Sequence, residues 1–246
     1  MIFLNLGIII SLLAGLSTML GAISIFLKVK DIDKLIVISL SFSSGVLLFI
    51  SIFDLFPESI NLFNFSHEKY VSIMLFIIMF FIGIYLTKLI NDNSYEGNNL
   101  YKIGLVSMIA IIMHNIPEGI LTFFMTNINQ KLGITMGLAI AMHNIPEGIT
   151  ISLPIYYSTN NKLKAIKYTF ISSISEPLGA IISSLFFKGS INYTILGLLF
   201  SLVSGIMIYI SIFELLKESF KYKKVLLLII SFLIGIFFSL IVFKIK

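Results

Sequence analysis

Residues 102–125 read KIGLVSMIAIIMHNIPEGILTFFM, and residues 132–156 read LGITMGLAIAMHNIPEGITISLPIY. Each stretch is long enough to cross the hydrocarbon core of a bilayer, which takes about 20 apolar residues. Each carries the same octet near its middle: Met113-His114-Asn115-Ile116-Pro117-Glu118-Gly119-Ile120 recurs without change as Met142-His143-Asn144-Ile145-Pro146-Glu147-Gly148-Ile149. Eight identical residues of this composition are a duplication. A short connection joins the two stretches, so they form adjacent, antiparallel helices.

The rest of the chain has the same character. It is 246 residues long, 58% apolar and 12% charged, with a mean hydropathy of +1.04. A soluble domain carries about 25% charged residues. The +5 net charge sits in short clusters between apolar stretches, not on one basic face, which excludes a nucleic-acid partner as well as a soluble enzyme or a disordered chain. Cutting at charge clusters and at Gly, Asn and Pro turns predicts an all-α polytopic membrane protein with eight spans, near 2–27, 35–56, 70–90, 102–125, 132–156, 165–187, 191–215 and 224–244. No interval between them could hold a soluble domain, so 1–246 is expected to be one membrane domain. The first span lacks a preceding positive charge and a small-residue cleavage site, and is expected to be a retained helix. Cys, Trp and Arg are absent; the first excludes thiolate metal sites, and the overall bias reads as that of an AT-rich bacterial genome.

Lysine placement sets the expected orientation. The connections after helices one, three, five and seven hold Lys28, Lys30, Lys34, Lys88, Lys102, Lys162, Lys164, Lys167, Lys217, Lys221, Lys223 and Lys224. The opposite side holds only Lys69, Lys131, Lys188, Lys244 and Lys246. The first set is expected to face the cytoplasm, with both termini outside the cytoplasmic membrane.

A second, looser repeat aligns Ser41–Ser59 with Ser201–Ser219, matching at ten of nineteen positions, including Ile50-Ser51-Ile52-Phe53 with Ile210-Ser211-Ile212-Phe213. A fainter echo pairs Leu20-Gly21-Ala22-Ile23 with Leu178-Gly179-Ala180-Ile181. Helix two thus matches helix seven, and helix one matches helix six. Each pair is an odd number of spans apart, so the partners cross the membrane in opposite senses. The expected arrangement is a 3+2+3 inverted repeat, a plan that in secondary transporters places substrate near the midplane.

The chemistry of the duplicated octet favours a metal. His114, Asn115 and Glu118 share one helical face, as do His143, Asn144 and Glu147. Pro117 and Pro146 each remove one backbone hydrogen bond and are expected to kink their helices, freeing a carbonyl. Glu176 adds a third mid-span acid beside Pro177. An acid at the bilayer centre costs roughly 2.5–3.5 kcal/mol on insertion scales, and no lysine is mid-span to pair with these three. A nitrogen and oxygen set without sulfur suits Zn²⁺, Fe²⁺, Mn²⁺ or Co²⁺, while Mg²⁺ and Ca²⁺ recruit oxygen alone.

These residues by themselves leave three functions open: a metal carrier, a membrane metalloenzyme, and a metal channel or efflux protein. A zincin needs His-Glu-x-x-His, which is absent, and a histidine-box desaturase needs more than the three His present. A ferritin-like di-iron site wants Glu-x-x-His, whereas here His precedes Glu by four. Binding residues carry no direction, so uptake and efflux stay unresolved at this point.

His-Asn-x-Pro-Glu-Gly in two neighbouring helices, with Ser175-Glu176-Pro177-Leu178-Gly179 in the sixth, resembles the ZIP (zinc/iron-regulated transporter-like) family, particularly its bacterial zinc-uptake-permease branch. The resemblance covers the whole chain. It implies an elevator-type carrier, not an enzyme, taking zinc and related divalent ions (Fe²⁺, Mn²⁺, Co²⁺, Cd²⁺) into the cytoplasm, and working as a homodimer. It also implies one metal position from His114, Glu118, His143 and Glu147, and a second from Asn115, Glu118, Asn144, Glu147 and Glu176, with Glu118 and Glu147 bridging. The His-rich connection that many members carry after helix three is here Asn91-Asp92-Asn93-Ser94-Tyr95-Glu96-Gly97, so no metal sensor is expected there.

The longer repeat places Asp54 and Glu58 near the outer end of helix two, and Glu214 and Glu218 near the inner end of helix seven. Asp54 and Glu214, which fall inside the apolar boundaries, are the candidates for entrance and exit; acids at a mouth concentrate cations. His67, in an outer loop, is expected to be solvated.

Overall fold

The structure, a computed structural model, describes residues 6–93, 98–186 and 192–244, with the side chain of Asn93 excepted. The expected helix ends at 2–5, 187 and 191, together with residues 94–97, Lys188 and Lys246, lie outside these. Among the described residues eight helical rods follow one another: α1 (Leu6–Phe26), α2 (Ile32–Asn64), α3 (Lys69–Asn93), α4 (Asn99–Ile128), α5 (Gln130–Thr159), α6 (Lys162–Phe186), α7 (Tyr193–Lys221) and α8 (Val225–Phe243). Seven are long and apolar enough to cross a membrane; α5 falls short because its octet is flanked by Gly, Thr and Ala where that of α4 is flanked by larger apolar residues.

Asparagine and aspartate fix most of the helix starts. Asp31, Asn98, Asn129, Asn161 and Asn192 each accept a backbone N–H two or three residues on, at 2.9–3.2 Å, which satisfies donors that a helix start leaves orphaned. Asn129 is at once the end of α4 and the cap of α5, so one residue turns the chain. Asn160, in the left-handed conformation at φ 51°, ends α5 immediately before Asn161 caps α6; asparagine visits that region more readily than most residues.

Two spans differ from expectation. Helices α2 and α7 were expected to stop at 56 and 215 but run on to Asn64 and Lys221. Each contains a widened π turn, Ser51–Leu55 in α2 and Ile210–Leu216 in α7, which are the best-matched segments of the longer repeat. In α2 the wide turn shifts the hydrogen-bond register just before Pro57, and the helix passes the proline instead of ending at it. The α6 rod is the converse case: it breaks at Ile174, where Pro177 cannot donate to Ser173 and where Ser173 and Ser175 hydroxyls bond preceding carbonyls.

Glycine decides which rods meet most closely. Gly21 of α1 lies against the Ile145 carbonyl of α5, and Gly148 of α5 against the Thr18 carbonyl of α1. Gly119 of α4 abuts the Glu176 carbonyl of α6, and Gly179 of α6 the Ile116 carbonyl of α4. Likewise Gly45 and Gly235 close α2 on α8, and Gly83 and Gly205 close α3 on α7. Small residues let backbones approach where lipid offers no hydrophobic drive for association. Two four-helix groups result, α1/α4/α5/α6 and α2/α3/α7/α8. They meet chiefly along α2–α5 and α4–α7. Within the second group α2 is tied to α7 by buried serines: Ser44 Oγ donates to the Ser211 carbonyl at 3.0 Å, and Ser204 Oγ to the Ser51 carbonyl at 3.1 Å.

Candidate metal centre

The one-residue link at Asn129 sits midway between His114 and His143, fourteen or fifteen residues from each. At 1.5 Å of rise per residue the two octets stand at the same depth, about 21 Å from the link. Their polar faces therefore confront each other. His143 Nε2 lies 3.1 Å from Glu118 Oε1 and His114 Nε2 lies 3.2 Å from the same oxygen, while Glu147 Oε1 is 3.4 Å from His114 Nε2. Nearest ligand atoms of His114, Glu118 and His143 all fall within 4.8 Å of one another. Both imidazoles and all three acids, Glu118, Glu147 and Glu176, are buried.

Deeper in, the amides are oriented by their hydrogens. Asn144 Nδ2 donates to Glu176 Oε2 and to the Ala14 carbonyl, both at 2.9 Å, and Asn115 Nδ2 to the Ser172 carbonyl at 3.4 Å. Besides scattered Ser and Thr hydroxyls, the buried atoms without a hydrogen-bond partner among the described residues concentrate here: Asn115 Oδ1, Asn144 Oδ1, Glu118 Oε2, Glu176 Oε1, both Glu147 oxygens and both His114 nitrogens, of which His114 Nε2 and Glu147 Oε1 have only the ion-pair contacts given above. Buried polar atoms are nearly always satisfied, and a concentration of orphan oxygen and imidazole acceptors is what a cation would satisfy. All seven sequence candidates are thus buried on α4, α5 and α6: His114, Glu118, His143 and Glu147 in one cluster, Asn144 on Glu176, and Asn115 on the Ser172 carbonyl.

Helix α1 contributes what the sequence did not reveal. The Ala14 carbonyl holds Asn144, Ser17 Oγ reaches the Ala14 and Ala141 carbonyls at 2.6 and 2.7 Å, and a side chain at Gly15 would collide with the Ser173 carbonyl. From α2, Ser43 Oγ bonds the Pro146 carbonyl at 3.0 Å. Backbone acceptors leave no trace in residue type; the only hint was the faint likeness of α1 to α6. Asn144→Leu keeps the volume but strips both N–H bonds, leaving Glu176 Oε2 without its donor and the Ala14 carbonyl with Ser17 Oγ as its side-chain donor. It is expected to destabilise the protein by about 2 kcal/mol or more, read as a lowered Tm in detergent; an unchanged Tm would remove Asn144 from its orienting role.

Asp54 and Glu214 lie in different surroundings. Asp54 and Glu58 line a narrow cavity of about 30 Å³ whose far wall is Glu118 and His143. Glu58 also borders a wider vestibule of about 520 Å³ on the Lys-poor face, with Asn61 and Asn64. The narrow part has room for one or two waters, too little for a fully hydrated ion. Glu214 lies in a separate cavity on the Lys-rich face, lined also by Glu218, Lys102, Lys217 and Lys221, and the metal seam does not open into it. His67, expected in solvent, is half-buried with Nε2 at 3.0 Å from Thr194 Oγ1, tying the α2–α3 loop to the start of α7.

The chain is similar to known proteins. The family model described as "ZIP Zinc transporter" matches residues 90–242. The protein named zinc transporter ZupT from Streptococcus mutans is 36% identical over 232 residues, covering 88% of each chain. The ZupT of Chlorobaculum parvum is 37% identical over 234 residues, 87% of each chain. The ZupT of Oceanobacillus iheyensis is 37% identical over 240 residues, 89% of this chain and 90% of its own.

Proposed function

The chain belongs to the ZIP family of zinc transporters, and from that premise we propose that it carries zinc, with Fe²⁺, Mn²⁺, Co²⁺ and Cd²⁺ as further substrates, into the cytoplasm through the α4–α5–α6 seam. It is a multi-pass membrane transporter and not an enzyme. The observation that carries the reading is the buried cluster of orphan acceptors around His114, Glu118, His143 and Glu147. Those four hold the first metal position. Asn115, Asn144 and Glu176, with Glu118 and Glu147 shared, hold a second. The two are stations on a path, since the amide oxygens and Glu176 continue the seam beyond the imidazoles.

Uptake rests on orientation. With the Lys-rich face in the cytoplasm, both termini lie outside and the cavity lined by Asp54 opens outward. Asp54 is then the entrance group. Glu214, at the inner face, is the exit. We read the whole chain as one domain built as a 3+2+3 inverted repeat: exchanging α1, α2 and α3 with α6, α7 and α8, and α4 with α5, exchanges the α1–α5 glycine contacts with those of α4–α6, and those of α2–α8 with those of α3–α7. The division into two glycine-closed groups supports an elevator movement of α1/α4/α5/α6, which holds every metal ligand, against α2/α3/α7/α8 in a homodimer.

The test is flux of radioactive Zn²⁺ into proteoliposomes with competing ions. Fe²⁺, Mn²⁺, Co²⁺ and Cd²⁺ are expected to compete and Mg²⁺ to leave flux unchanged, because imidazole discriminates against hard cations. Flux is also expected to fall in acid, as protons compete with metal for imidazole and carboxylate. Inhibition by Mg²⁺ equal to that by Co²⁺ would refute an imidazole-containing site, and flux indifferent to acid would do the same.

A further inference from the structure

A buried hydrogen bond ties the two helix groups together where they meet. Ser43 Oγ of α2 donates to the Pro146 carbonyl of α5 at 3.0 Å, from a fully buried position. Other buried bonds stay inside a group: Asn144 to Glu176 and Ala14, and Asn115 to Ser172, in one; Ser44 to Ser211, and Ser204 to Ser51, in the other. The acceptor lies in the octet, one residue before Glu147. Its place in the repeats sets this bond apart. Pro146 has Pro117 as its octet counterpart on α4, and Ser43 has Val203 as its counterpart on α7 in the longer repeat. Val203 is as buried as Ser43, at 1% exposed, and its side chain has no donor. Ser44, Gly45 and Ser51, by contrast, are matched by Ser204, Gly205 and Ser211. The α2–α5 contact thus carries a bond that the α4–α7 contact has no means of forming at the equivalent position.

In an inverted-repeat carrier the two facings are related by exchange of the repeats, so the α2–α5 and α4–α7 contacts trade geometries as the molecule turns from one side to the other. Here the cluster around Glu118 and His143 borders the cavity of Asp54, towards the Lys-poor face, while the cavity of Glu214 is separate. The Ser43–Pro146 bond belongs to that facing. A slide of one helical turn, about 5.4 Å, carries it far out of range. In the opposite facing Val203 meets the Pro117 turn and offers no bond in exchange. Once released, the Ser43 hydroxyl falls back on the Ser39 carbonyl, one turn earlier in its own helix. The bond is therefore worth its modest net value and not the cost of an orphan group. For uptake this bias is useful, because apparent affinity on the outer side scales with the fraction of molecules that face outward.

We propose that the Ser43–Pro146 bond is a latch that favours the facing open to the Lys-poor side, unopposed in the other facing because Val203 stands where the repeat would need a second donor. The latch rests on the inverted-repeat and elevator reading above, and the experiment separates the two. The chain has no cysteine, so Tyr70→Cys on α3 and Ile128→Cys on α4 place one spin label on each helix group, both at exposed positions. Double electron–electron resonance in lipid nanodiscs, with and without Zn²⁺, reads the two facings as two distances and their populations as a ratio. The labelled protein is compared with the same protein carrying Ser43→Ala, Val203→Ala or Val203→Ser. A hydrogen bond between membrane helices is worth roughly threefold to tenfold in an equilibrium. Ser43→Ala is expected to shift the ratio by that factor towards the facing open to the Lys-rich side. Val203→Ser should shift it the same way relative to Val203→Ala, since only the serine adds a donor. Two distances with an unchanged ratio in Ser43→Ala, even with a lowered Tm, overturn the latch while the movement stands. Equal ratios in Val203→Ser and Val203→Ala overturn the part given to Val203. A single distance in every variant, with and without Zn²⁺, refutes the movement of the groups and the latch with it.

Discussion

Glu118→Ala is expected to reduce zinc flux at least about 100-fold, since substitution of mere supporting groups around a metal already costs 10–100-fold and Glu118 touches the centre itself. One of its oxygens stands 3.1–3.2 Å from both imidazoles, its other oxygen has no hydrogen-bond partner, and its side chain forms the floor of the cavity leading from Asp54. No other described side chain contacts both His114 and His143 in this way. Loss of flux alone would not separate a ligand from a structural group, but the stability of the variant does. In the metal-free protein three buried carboxylates share a seam with no lysine, a desolvated arrangement that is costly. Removing Glu118 relieves that crowding but also takes the hydrogen-bond partner from His143, so the metal-free Tm is expected to change little. The rise in Tm that zinc produces through mass action should disappear. A variant that transports at wild-type rate, or that keeps the full zinc-induced rise in Tm, would remove Glu118 from the centre.

Gly119→Ala should have the largest effect on the fold itself. A methyl group there overlaps the Glu176 backbone carbonyl, with the adjoining Ala180 nitrogen close behind. Backbone cannot step aside by changing rotamer, so α4 and α6 must separate. Overpacking of this kind costs typically 1–3 kcal/mol where side chains can adjust, and more is expected where only backbone can. The measurable outcome is a steep fall in monodisperse protein after extraction and a lowered Tm. Because Glu176 sits in the displaced turn, any protein that does fold should also bind zinc more weakly. Gly148→Ala, which meets the Thr18 carbonyl of α1 in the equivalent crossing, should behave alike. Normal yield and Tm for both would contradict the close crossings.

Much of the candidate site was legible because membranes punish polar residues. His114, Asn115, Glu118, His143, Asn144, Glu147 and Glu176 stood out in apolar helices, and all seven are buried on α4, α5 and α6. Helix limits were less legible. The expected end of α2 at 56 falls just before Pro57, yet the π turn there carries the helix on; the span expected over 165–187 was unbroken, yet α6 breaks at Ile174. Both outcomes depend on which carbonyls and amides find partners, which residue types do not encode. The two acid pairs of the longer repeat looked equivalent. Their surroundings are not, since Asp54 shares its cavity with the metal seam and Glu214 shares another with three lysines.

The sequence by itself determined that this chain is a helical membrane protein with duplicated polar octets, because hydropathy, charge placement and identity of repeats are properties of the chain alone. Tertiary structure decided the rest: that the octets meet at one depth, that α1 offers the Ala14 carbonyl to orient Asn144, and that glycine draws eight rods into two groups. Those follow from the close approach of backbones, where a single missing Cβ sets the distance between helices and a backbone oxygen of any residue serves as a partner. Neither has a signature in residue type until the chain is folded.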